Sequence, residues 1–102
     1  MDTKKYEVFE KTVELSSLTK AAEELGLTQS GVSHILASLE EEFGFPLLTR
    51  SRTGARLTPE GEKIMPFIRS ILRSQEQLDQ TAAELRGLSA GTVRIATFTS
   101  VA

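Results

Sequence analysis

One spacing restricts the fold of this chain more than any other feature: Ala22, then Gly26 a helical turn later, then Leu27, Val32 and Ile35. A small residue lets two helices cross closely, a glycine takes the sharp turn between them, and the apolar residues pack the second helix steeply against the first. The pattern predicts a helix-turn-helix over residues 18–37, with Thr28, Gln29, Ser30, Ser33 and His34 projecting outward from the second helix. Short hydroxyls and an amide at those positions suit base edges and phosphates in the major groove of DNA. Gln29 matches adenine in bidentate fashion, and the helix N-terminus favours a phosphate. Taken alone, the same spacing also describes two helices packed in a core, so the flanking sequence has to discriminate.

Upstream, residues 3–15 carry Tyr6, Phe9 and Val13 at helical spacing among charged residues, an amphipathic helix with one buried stripe. Ser17 is the N-cap of the next helix, residues 18–25, and Ala21 and Ala22 give it a small face. Thr28 caps a third helix that runs to Phe43, with Val32, Leu36, Leu39 and Phe43 on its buried face and Ile35 beside them. Gly44 and Pro46 end it.

Downstream, residues 47–50 and 55–58 read as two short strands around a tip of Ser51, Arg52, Thr53 and Gly54. A hairpin placed after such a helix is a wing. Thr58 and Pro59 then start a long helix to about Arg86, with Pro66 as an expected kink. Ile64, Ile71, Leu78 and Leu85 recur every seven residues, and Gly61, Ile68, Gln75 and Ala82 form a companion row. That is a short heptad seam, in which Gln75 would fix register. About 28 residues at 1.5 Å each give ~42 Å, longer than the small domain it would cover, so a partner helix from a second subunit is the expected occupant of the seam. Residues 89–102 read as a hinge and the first strand of a further domain, because residues 92–98 alternate polar and apolar.

Charge is the feature that resists a DNA-binding reading. Twelve basic residues against 14 acidic ones leave a net charge of −2, where a nucleic-acid binder is expected to be basic. The distribution answers part of this. Arg50, Arg52 and Arg56 lie in a stretch between Gly44 and Pro59 that contains no acid, while Glu40, Glu41 and Glu42 cluster outside it. The three glutamates read as a solvated face, with Glu40 alternatively paired to a basic residue of its own domain. His34 has no cysteine, second histidine or acidic partner at ligand spacing, which leaves DNA contact or plain exposure. The chain has no cysteine, no apolar run of membrane-spanning length and no signal-peptide core, so a cytoplasmic location without a membrane is expected.

The residues that match a known family are Ser17–Leu25, Thr28–His34, Leu39-Glu40, Gly44–Leu48, Arg50 and Leu57–Gly61, followed by Gly91–Ile95. In this run the chain resembles the LysR-type transcriptional regulators of bacteria. The resemblance implies a mainly α fold: a winged helix-turn-helix of three helices and a two-stranded wing (residues 1–58), a dimerising linker helix (59–88), and a stub of an effector-binding domain (89–102). By the same resemblance Gln29, Ser30, Ser33 and His34 fall at recognition-helix contacts, Arg50 at a phosphate contact, and Arg52 or Thr53 at the wing tip near the minor groove. Ile64, Ile68, Ile71, Leu78 and Leu85 are the expected dimer contacts. Ser30 stands where many members have proline, His34 where arginine is common, and Leu48-Thr49 where Phe-Glu is frequent. The resemblance further implies an operator partner, a homodimer with higher oligomers at full length, RNA polymerase as a candidate partner, and a small-molecule effector for the full-length protein, with no cofactor in this region.

Two functional classes therefore stand: a sequence-specific DNA-binding regulator, and a protein-interaction module that keeps the winged fold and works through the long helix. An enzyme is not expected, since no nucleophile–base pair, metal cluster or phosphate loop is present.

Overall fold

The computed structural model describes residues 3–52 and 54–89. The expected strand stub in residues 89–102 therefore lies almost wholly outside the described residues, and so does Thr53. Six elements follow in order: α1 (Lys4–Leu15), α2 (Leu18–Leu25), α3 (Gln29–Phe43), β1 (Leu48–Ser51), β2 (Gly54–Leu57) and α4 (Pro59–Ser89). No helix among the described residues is long and apolar enough to cross a membrane.

The helix ends are set locally. The Ser17 hydroxyl accepts the Lys20 backbone N–H and opens α2, and Thr28 does the same for α3 through Gly31. Gly26 and Gly44 close α2 and α3 in the left-handed conformation, at φ of 70° and 89°. Such φ values cost an ordinary residue about 1 kcal/mol and glycine very little.

The first compact unit runs to Leu72. Its core joins Val8 and Phe9 of α1, Leu18 and Ala22 of α2, Val32, Leu36 and Leu39 of α3, Leu47, Leu48 and Ala55 of the wing, and Met65 and Ile68 of α4. The stripe expected on α1 is wider than Tyr6, Phe9 and Val13. Val8 and Thr12 are fully buried, whereas Tyr6 and Val13 only flank the core. The reason is that α1 packs against α2, α3 and β2 at once. Thr12 is tolerated there because its hydroxyl donates to the Val8 carbonyl at 2.8 Å.

β1 and β2 pair antiparallel, with Leu48 opposite Leu57 and Ser51 opposite Gly54. The strands sit one residue inside the expected hairpin. Thr58 is not a strand residue: its hydroxyl accepts the Gly61 N–H at 2.9 Å and donates to the Pro46 carbonyl at 2.8 Å, so it caps α4 and braces the turn before β1.

The tip end of the wing is anchored by a turn that sequence patterning did not reveal. Ser16 closes α1 at φ 54°, and its carbonyl accepts the Ala55 N–H at 3.0 Å. Gly54, at φ 125°, lies so close to that carbonyl that a Cβ would collide with it.

α4 is unbroken through Pro66 and Gly87. Its expected seam is divided by the structure. Ile68 is 2% exposed in the core of its own chain, and Ile64 packs against that core, so Ile68 is corrected from a subunit contact to a core residue. Covering the winged domain within one chain, the alternative set aside on length, accounts for this first part of the helix. The second unit begins at Arg73. Within it, Leu78 and Leu85 are 63% and 58% exposed, and Gln75 donates to Asp79 along the helix at 3.1 Å.

Candidate nucleic-acid interface

The outward face of α3 begins at its cap. The Thr28 hydroxyl oxygen accepts the Gly31 N–H at 3.0 Å and lies 3.3 Å from the Ser30 hydroxyl. Its first task is therefore to start the helix, and any contact it makes with a ligand is shared with that task. Over the first two turns, Gln29, Ser30, Ser33 and His34 line a single shallow concavity of about 510 Å³. Four of the expected residues are thus brought together. Ala37 completes the lining and was not anticipated, because an alanine carries no polar signal in a sequence.

Arg50 comes to this surface from β1. Its Nη1 donates to Ser33 Oγ at 2.9 Å, a bond across 17 residues that ties the wing to the second turn of α3. A second concavity, of about 280 Å³, lies beside the first, and Gln29 borders both. Arg50 and Arg52 form its wing side, and Ser17 and Thr19 at the start of α2 form the other. Ser17 and Thr19 were absent from the expected set. Ser17 was legible as a cap, but a cap residue gives no sign that it also faces a groove. Arg56 is exposed on β2, opposite Thr49.

The electrostatics follow the same division. On the helical body Lys5 pairs with Glu42 at 2.6 Å, Lys11 with Glu14 at 3.2 Å, and Arg69 with Glu10 at 3.8 Å. Arg50, Arg52 and Arg56 have no acidic partner among the described residues. The net charge of −2 therefore hides a basic wing on an acidic body, because the three wing arginines leave nine basic residues against 14 acidic ones elsewhere in the chain. Glu40 belongs neither to a solvated face nor to an ion pair. Its Oε2 accepts the backbone N–H groups of Leu47 and Leu48 at 2.7 and 3.0 Å, which holds the start of β1 against α3.

Three helices, with a glycine turn joining α2 to an α3 whose polar face is open, and a basic hairpin beside it, define a winged helix-turn-helix protein. The family described as "Bacterial regulatory helix-turn-helix protein, lysR family" matches residues 3–62, and the chain belongs to that LysR family. Its relatives are transcriptional regulators and not enzymes. It is 40% identical over 94 residues to the HTH-type transcriptional regulator YvbU of Bacillus subtilis (strain 168), covering 91% of this chain and 32% of that protein. It is 37% identical over 95 residues to the HTH-type transcriptional activator CmpR of Synechocystis sp. (strain ATCC 27184 / PCC 6803 / Kazusa), covering 93% of this chain and 31% of that one. The chain thus spans about a third of the length of the curated relatives it matches. Among solved structures it is similar to the BenM DNA-binding domain in complex with catB site 1 DNA. The TM-score there is 0.78 at 30% identity, covering 84% of this chain and 97% of that one.

Proposed function

We propose that this region is the operator-reading part of a LysR-type transcription regulator, acting as a dimer with α3 in the major groove and the wing arginines on flanking phosphates or in the minor groove. The observation that carries the reading is the continuity of two surfaces. The polar face of α3 (Gln29, Ser30, Ser33, His34) and the acid-free wing (Arg50, Arg52) meet at Gln29 and are tied by the Arg50–Ser33 bond. Base-edge chemistry thus adjoins phosphate chemistry, the arrangement that sequence-specific binding needs. Similar DNA-binding domains have been solved bound to DNA, as in the BenM and CbnR complexes.

The dimer is proposed from the second part of α4, where Leu78 and Leu85 are large apolar side chains left in solvent one heptad apart. Two copies related by a two-fold axis would place two α3 helices on half-sites about one helical turn apart, or a multiple of it. Effector sensing and any contact with RNA polymerase are assigned to the whole protein.

Selection of bound sequences from a random DNA pool, followed by an anisotropy titration at low salt, tests the proposal. The expected result is a two-fold-related site preferred over random DNA. Equal binding to both, or a dimer whose DNA affinity is untouched by Gln29→Ala and Arg50→Ala, would instead favour a protein-interaction module.

A further inference from the structure

We infer that Arg50 sets the hydrogen-bonding sense of Ser33, so that Ser33 reads acceptor atoms on a base edge and disfavours cytosine. The inference rests on the DNA-binding reading above and adds a positioning role for Arg50. A serine hydroxyl has one hydrogen and two lone pairs, so it normally bonds donors and acceptors alike and discriminates poorly between bases. Here Arg50 Nη1 donates to Ser33 Oγ at 2.9 Å. A guanidinium has no acceptor, which leaves only one possible direction for that bond. One lone pair of Ser33 is therefore occupied. The adjacent positive charge strengthens the O–H as a donor and weakens the remaining lone pair as an acceptor.

Among the described residues no acceptor takes the Ser33 hydrogen. Ser33 lines the α3 concavity beside Ser30 and His34, so the hydrogen is able to turn toward a groove edge. Purine N7, guanine O6 and thymine O4 accept such a donor, whereas cytosine presents its N4 amino group. Arg50 also borders the second concavity, and a guanidinium has further N–H groups with which to bond a phosphate there. One side chain would thus couple backbone contact to base reading.

The test uses the full chain. Selection from a random pool locates the position read by Ser33 as the one whose preference collapses in Ser33→Ala and survives in Ser33→Thr, which keeps the hydroxyl. Anisotropy titrations with each of the four bases at that position then compare the unsubstituted chain with Arg50→Ala and Arg50→Lys. The unsubstituted chain should bind the cytosine site about five-fold more weakly than the preferred one, the scale of a single hydrogen bond, and Arg50→Ala should bring that ratio to about one. Arg50→Lys, which keeps a cationic donor, should retain part of the ratio and most of the salt dependence. If Arg50→Ala weakens all four sites equally with the ratio intact, Arg50 is a phosphate contact only and the inference is overturned. A Ser33→Ala preference identical to that of the unsubstituted chain overturns it as well. Failure of the unsubstituted chain to select any sequence is a separate result, which removes the DNA-binding reading and this inference together.

Discussion

The carboxylate of Glu40, near the end of α3, accepts the backbone N–H of Leu47 at 2.7 Å and so closes the turn that carries the chain from recognition helix to wing. The neighbouring Leu48 N–H donates to the same oxygen at 3.0 Å. Both donors stand just where the strand begins, and Leu47 is 1% exposed. Glu40→Ala leaves them without an acceptor at a mostly buried site. A loss of about 1–2 kcal/mol is expected, the cost of unmaking hydrogen bonds to a charged group at partial exposure, read as a lower urea midpoint. Glu40→Gln, which keeps an acceptor oxygen, should lose less. Equal midpoints for Glu40→Ala and the unsubstituted chain would show that the bonds contribute nothing net.

Gly54 and Gly26 provide a paired test of close approach. Both have positive φ, but a Cβ at Gly26 meets nothing within 4 Å while one at Gly54 collides with the Ser16 carbonyl. Gly26→Ala should cost about 1 kcal/mol, the backbone term alone. Gly54→Ala should cost about 2–3 kcal/mol, because its φ of 125° is nearly closed to residues with a Cβ and the collision is with backbone. It should also reduce DNA affinity by displacing the wing. Chemical denaturation and anisotropy on the same two variants separate stability from binding.

The division of α4 predicts opposite phenotypes on one helix. Ile68→Ala opens a cavity in a core where Ile68 is 2% exposed, and should destabilise the first unit by about 2–4 kcal/mol. Leu78→Ala and Leu85→Ala, at positions 63% and 58% exposed, should leave that unit's unfolding within about 0.5 kcal/mol and shift sedimentation toward the monomer. Unchanged sedimentation in a Leu78→Ala, Leu85→Ala double variant would remove the proposed seam.

Wing arginines and α3 residues should differ in what they do to binding. Arg52→Ala and Arg56→Ala are each expected to lower the slope of log affinity against log salt by about 1, with base preference kept. Gln29→Ala should relax preference at one base position and leave the slope unchanged. A slope unaffected by Arg52→Ala would take the wing off the phosphates.

Much of the fold was legible because helix boundaries are decided within a few residues. Ser17, Thr28 and Thr58 cap the helices that follow them, and Gly26 and Gly44 close the ones that precede them, as their chemistry requires. The one-residue error in the wing also has a local cause. Alternation of apolar and polar residues is compatible with Thr58 as a strand residue as well as a cap, and the Pro46 carbonyl, twelve residues away, which accepts its hydroxyl, adds a brace that local patterning does not show. The site was legible as a list of polar residues on one helical face. What each of them touches was not. Ala37 has no polar signal, and Ser17 and Thr19 reach the interface only because the wing folds over the start of α2.

The amino-acid sequence by itself determined the helices, their caps, the glycine turn and the face that α3 turns outward, since all of these depend on neighbours within about one or two turns. Tertiary structure alone decided that Glu40 holds the Leu47 turn, that Arg50 bonds Ser33, that Ser16 seats Gly54, and that Ile68 is core while Leu78 is not. The physical reason is the same in each case. Periodicity states which residues share a face, but the energy of a face depends on what covers it, and that is supplied by chain distant in sequence.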